Sequence, residues 1–112
     1  MKFVWIVRSW CNLDSFWEHV REHKEYDVAY TNPDMILEEI KRILIKEQQD
    51  WKDVCSTATD IKETDRNFDI DVPTLEQIIG RPFIKFLGIT STDEKKGEFW
   101  QTYYIERLKV VD

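Results

Sequence analysis

The sequence predicts a single α+β domain: a mixed sheet of four to five strands, in the order β-α-β-α-(β)-α-β-β, packed by one long and one shorter helix. Three observations predict it. Stretches of period-two hydrophobicity open and close the chain, a long helical stripe lies between them, and the length of 112 residues suits one domain with one core, residues 1–112, with no linker or repeat to divide it.

Taking the elements in order, Lys2 to Trp10 reads as a strand with apolar residues on both faces. Phe3, Trp5 and Val7 lie on one and Val4 and Ile6 on the other, the pattern of a central, doubly covered strand. Leu13, Phe16, Trp17 and Val20 then follow helical spacing behind the capping-box pattern of Ser15 to Glu18, which predicts a helix to about Lys24. Tyr26, Val28 and Tyr30 alternate with Asp27, Ala29 and Thr31, so a short strand should follow. Strand, helix and strand in this order imply a right-handed parallel crossover.

Asn32 as N-cap and Pro33 at the first helical position start the longest element, with a stripe of Ile36, Leu37, Ile40, Ile43, Leu44, Trp51 and Val54. Glu38 and Arg42 are spaced for an ion pair on its outer side. Residues 56–67 are polar and read as an exposed connection. Phe68, Ile70 and Val72 alternate with Asp69 and Asp71, the pattern of an edge strand with an acidic outer face. Pro73, Thr74 and Gln77 open a short helix closed by Gly80, and Pro82 reinforces the stop. The runs Phe83 to Ser91 and Glu98 to Val111, separated by a polar loop ending in Gly97, predict a C-terminal β-hairpin.

Charge narrows the function classes. The formal net charge is −6, and residues 25–72 carry 6 basic and 13 acidic groups, so the negative charge is concentrated in the middle of the chain. Such a field repels phosphate backbones, which argues against direct nucleic-acid binding, and it disfavours anionic membranes. No stretch is apolar for long enough to span a bilayer, and Arg8 interrupts the first apolar run too soon for a secretory signal. A cytoplasmic location is expected, where the two cysteines would remain thiols. Five Trp, four Tyr and six Phe exceed what packing a small domain usually calls for, so some are expected at a binding surface.

No complete catalytic motif or glycine-rich phosphate loop is present, and no cofactor is expected. The leading expectation is therefore a small, non-catalytic protein-binding module that inhibits or neutralises another macromolecule. It would do so by offering an acidic, aromatic-rich surface to a protein partner with a basic surface. The contact residues would come from Glu63, Asp65, Phe68, Asp69 and Asp71. In these gross properties the chain resembles toxin-immunity proteins and phage-encoded anti-defence inhibitors.

Three local patterns suggest other chemistry. Cys11 follows the first strand at the expected entry to a helix, where backbone N–H groups and the helix dipole would lower a thiol pKa. With Val72-Pro73-Thr74 later in the chain, this placement resembles the thioredoxin and glutaredoxin families and implies a thiol-dependent enzyme using Cys11, although the second cysteine of their motif is missing. Asp65 to Glu76 resembles the calcium loop of the EF-hand family. The resemblance implies oxygen ligands from Asp65, Asn67, Asp69 and Glu76, with Ile70 standing where that loop needs Gly. His19-Val20-Arg21-Glu22-His23 is similar to the H-x-x-E-H motif of inverted zinc peptidases, which implies Zn²⁺ held by two His one helical turn apart. The bland alternatives are, in turn, a buried small hydrophobe, an acidic edge strand leading into a capped helix, and solvated histidines.

Overall fold

The computed structural model describes residues 2–12, 20–22, 28–57, 64–93 and 97–111. It contains β1 (Lys2–Asn12), β2 (Val20–Glu22), β3 (Ala29–Tyr30), α1 (Pro33–Thr57), β4 (Thr64–Ile70), α2 (Leu75–Gly80), β5 (Phe83–Asp93) and β6 (Gly97–Val110). The strands form one sheet in the order β2-β1-β6-β5-β4, with β3 also pairing β1, and every pairing is antiparallel. The α+β class therefore holds, with one long and one short helix.

The pairing direction differs from expectation. Val20–Glu22, placed by the sequence pattern in a helix, is instead a strand that returns antiparallel along β1, with Cys11 opposite Arg21. β3 adds to β1 in the same sense, Trp5 opposite Tyr30. No parallel crossover exists among the described residues, and the sheet is antiparallel rather than mixed. The expected helix start at Leu13 to Trp17 lies outside the described residues. The difference has a plain cause: Val20 is an apolar residue that fits a helical stripe and a strand equally well, and a short run cannot decide between the two periods.

Alternation along the strands assigns the two faces. Trp5 and Val7 of β1, Tyr103 and Ile105 of β6, and Ile84, Leu87 and Ile89 of β5 are buried on one face beneath Ile36, Ile40, Ile43 and Leu44 of α1 and Ile78 of α2. A register shift between Lys85 and Leu87 lets Phe86 also turn into this core, where it is fully buried. The bulge sets two successive side chains, Phe86 and Leu87, on the same buried face without ending the strand. The opposite face carries Val4, Ile6, Arg8 and Trp10 of β1, which neither helix covers. β1 is thus central, as its apolar run predicts, but among the described residues a helix covers it on one side only.

Both helix starts match their sequence signals. The Asn32 Oδ1 accepts from the Asp34 N–H at 3.0 Å and the Asn32 carbonyl from the Met35 N–H at 3.1 Å, which caps α1. At α2 the Thr74 side chain accepts from the Gln77 N–H at 3.2 Å and the Gln77 side chain accepts from the Thr74 N–H at 3.0 Å, a complete capping box. On α1, Arg42 pairs with Glu39, three positions before it, rather than with Glu38, and Glu39 also bonds Tyr30 at the margin of the core. A buried bond from the Trp5 indole Nε1–H to the Ile78 carbonyl, 3.1 Å, ties α2 to β1. The hairpin of β5 and β6 closes with Asp93 opposite Gly97, as the polar loop predicts. No helix among the described residues is long and apolar enough to cross a membrane.

Candidate functional site: the acidic edge and the helix-free face

β4 is the outer strand of the sheet, beside β5, so the acidic segment does form an edge. It begins at Thr64, earlier than the polar composition of residues 56–67 suggests, because pairing with β5 extends to Thr64 opposite Asp93. Asn67 and Asp69 stand opposite Thr90 and Gly88 on the helix-free face, and Asp69 and Asp71 are exposed. Phe68 is half-buried and packs against the core from the other face. Asp65 occupies the register position opposite Thr92, and Glu63 lies outside the described residues. The inward row is only partly covered: Ile70 is 41% and Val72 44% exposed.

This geometry bears on the other patterns. Thr64–Ile70 is a regular strand, and an extended backbone carries Asp65, Asn67 and Asp69 away from one another instead of wrapping them round an ion. Among the described residues no three His, Cys, Asp or Glu side chains group to hold a metal. Glu76 lies in the first turn of α2, beyond the end of β4. Cys11 sits inside β1, opposite Gln101, and is 1% exposed, so it occupies no helix N-terminus. Glu22 of the H-x-x-E-H pattern is in a strand opposite Trp10, which removes the helical spacing; His19 and His23 lie outside the described residues.

What the sequence did not single out is the helix-free face as a unit. Three rows of residues cross it from strand to strand: Asn67, Thr90 and Trp100; then Asp69, Gly88, Thr102 and Trp10; then Lys85, Tyr104 and Arg8. Trp10 and Tyr104 stack at 6.4 Å with ring planes 8° apart, and the Trp10 indole N–H donates to the Tyr104 hydroxyl. Phe83 adds to Tyr104 at 4.6 Å while remaining 55% exposed. Arg8 Nε bonds Glu106 at 2.8 Å, which neutralises both charges within the patch. The result is an aromatic cluster over β1, β5 and β6, a shallow floor of Gly88, Thr90 and Thr102 with the end of the Lys85 side chain lying over Gly88, and Asp69 at the far edge. The signal was present in the sequence as apolar residues on both faces of β1 and β6; what was missing was which face the helices would take.

A second polar group is structural. The Gln101 Nε2 donates to Ser9 Oγ and to the Tyr103 hydroxyl, both at 2.9 Å, and the Tyr103 hydroxyl donates to Glu47. Glu47 continues the apolar stripe of α1 one turn past Leu44, so a carboxylate replaces a hydrophobe where the sheet offers a buried hydroxyl. Beside it, Arg66 stacks over Trp51 at 4.1 Å and donates from Nε to Ser91 Oγ at 2.9 Å. Each polar atom named here has a partner, and the group fastens α1 to the far end of the sheet.

No protein-family model, curated protein or solved structure matches this chain.

Proposed function

We propose that the chain is a non-catalytic protein-binding module that inhibits or neutralises a macromolecule with a basic surface, acting in the cytoplasm. The observation that carries this reading is the continuity of exposed aromatic and acidic groups on one sheet face. Trp10 and Phe83, with the half-buried Trp100, supply rigid apolar area, while Asp69 on the same face and Asp71 just beyond β4 supply charge opposite to the partner's. The net charge of −6 steers a cationic surface toward the domain and repels phosphate polymers. In these gross properties the chain resembles toxin-immunity and anti-defence proteins, a comparison by analogy.

Affinity capture from host extract with the wild-type chain and with the Asp69→Lys/Asp71→Lys variant tests the reading. The captured protein should be basic, its retention should fall with salt, and the variant should lose it while keeping the wild-type melting temperature. Retention that survives both charge reversals would overturn the proposal.

A further inference from the structure

The structure assigns β4 as an acceptor for an extended partner segment, which adds to the sheet as a further strand with basic and apolar side chains alternating. This inference rests on the protein-binding reading above and specifies its mode of recognition. Among the described residues, nothing pairs the outer edge of β4, so the backbone donors and acceptors of alternate residues, those not given to β5, face outward. Sheet edges are usually guarded by charged side chains, lysine above all, by inward-pointing charges, proline, a bulge or brevity. β4 has no lysine, proline or bulge; its charges are the acidic positions 65 and 69 on the helix-free face and Arg66 on the helix side. It spans 7 residues, Thr-Asp-Arg-Asn-Phe-Asp-Ile, and pairs β5 without a register shift.

The two faces of this edge differ in chemistry. On the helix-free face, Asp69 is exposed and Asn67 precedes it. On the helix side, Phe68 is half-buried and Ile70 is 41% exposed, apolar surface that a neighbouring strand would cover. A strand laid against β4 therefore meets carboxylate on one face and hydrocarbon on the other, and period-two alternation of Lys or Arg with Val, Ile or Leu satisfies both. The single cation of β4, Arg66, is stacked on Trp51 on the helix side, while Lys85 of β5 reaches over Gly88 beside Asp69, so an incoming cation has to share Asp69 with it. A second copy of this chain is a poor occupant, since antiparallel self-pairing about Asn67 sets position 65 opposite position 69, Asp against Asp. Strand addition of this kind takes affinity from main-chain hydrogen bonds and specificity from alternate side chains.

The test is a calorimetric titration of the intact chain with four synthetic peptides long enough to span β4. One alternates lysine and valine; one has the same composition in two blocks; two repeat the alternating sequence with every second backbone amide N-methylated, in either phase. Hydrogen exchange of the β4 amides is followed in parallel. The alternating peptide should bind, protect β4, and bind about tenfold more tightly than the block peptide and one of the methylated pair. Ile70→Ser and Asp69→Lys, both at exposed positions, should each weaken it while leaving the melting temperature unchanged. If all four peptides bind alike and Asp69→Lys abolishes all of them, strand addition is wrong while recognition of basic partners survives. If no peptide binds, or binding leaves β4 exchange unchanged, the inference is likewise overturned, and the capture experiment decides separately whether the broader reading fails with it.

Discussion

Tyr30 shows how one side chain couples an outlying strand to the long helix. Its phenol is held above the ordinary 10.0, first by partial burial, then by the Glu39 carboxylate and the hydrogen bond they share, with the nearby Arg42 acting in the opposite sense. A raised pKa means that the folded state favours the neutral phenol. The stabilisation is present in full below the unfolded value, near pH 10, and is lost as pH rises through the folded pKa. Alkaline unfolding should therefore soften in Tyr30→Phe, whereas Glu39→Gln should bring the tyrosinate absorbance of Tyr30 back toward the ordinary range. An unchanged alkaline limb in both variants would disprove the coupling. At Trp5 the issue is satisfaction rather than charge. Trp5→Phe leaves the Ile78 carbonyl without its buried indole donor and empties part of the indole volume, an expected loss of about 2–4 kcal/mol in denaturant unfolding.

At the scale of the element, α2 shows what local chemistry can do for a helix of 6 residues, too short to persist without tertiary support. Its capping box satisfies an N–H at each of two positions, so Thr74→Ala should cost about 1 kcal/mol and Thr74→Ser much less. Gly80, the last residue of α2, lies at an unremarkable backbone φ, and a Cβ there would meet nothing within 4 Å. Gly80→Ala should accordingly stabilise by about 0.5 kcal/mol through the unfolded chain. Gly88 is different in kind: its Cβ would meet the far end of the Lys85 side chain, Nζ at 3.0 Å, which can swing aside. Gly88→Ala tests the shallow floor of the helix-free face, and it should leave stability within about 0.5 kcal/mol of wild type.

For the molecule as a whole, the core formed by the described residues lies between α1 and one face of the sheet, and stability is concentrated there. Ile40→Ala, at a fully buried position shared by helix and sheet, should cost about 2–5 kcal/mol, while Ile45→Ala on the outer side, 70% exposed, should be close to neutral. Equal losses at both sites would refute the layer assignment. The sheet also joins the ends of the chain: β1 pairs β6 along its whole length, Lys2 opposite Val110 to Asn12 opposite Trp100. Such contacts close a loop of nearly the entire sequence, so refolding should fall in the millisecond-to-second range of non-local topologies rather than in microseconds.

Much of this was legible in residue order because it depends on short-range spacing. The Asn32-Pro33 start, the α1 stripe, the Thr74 and Gln77 capping box and the β5–β6 hairpin each follow from side chains within a few positions of one another. The acidic edge was legible too, as period-two alternation in Phe68, Asp69 and Ile70. The rest needed tertiary structure. That Val20–Glu22 is a strand is decided by the edge of β1 beside it, not by its own three residues. That Glu47 belongs in the stripe is decided by Tyr103, 56 positions away. And β1 and β6 have apolar residues on both faces, so their sequence could not say which face the helices would cover. Packing chose the side of Trp5, Val7, Tyr103 and Ile105, and by that choice left Trp10, Trp100, Tyr104 and Phe83 on the opposite face.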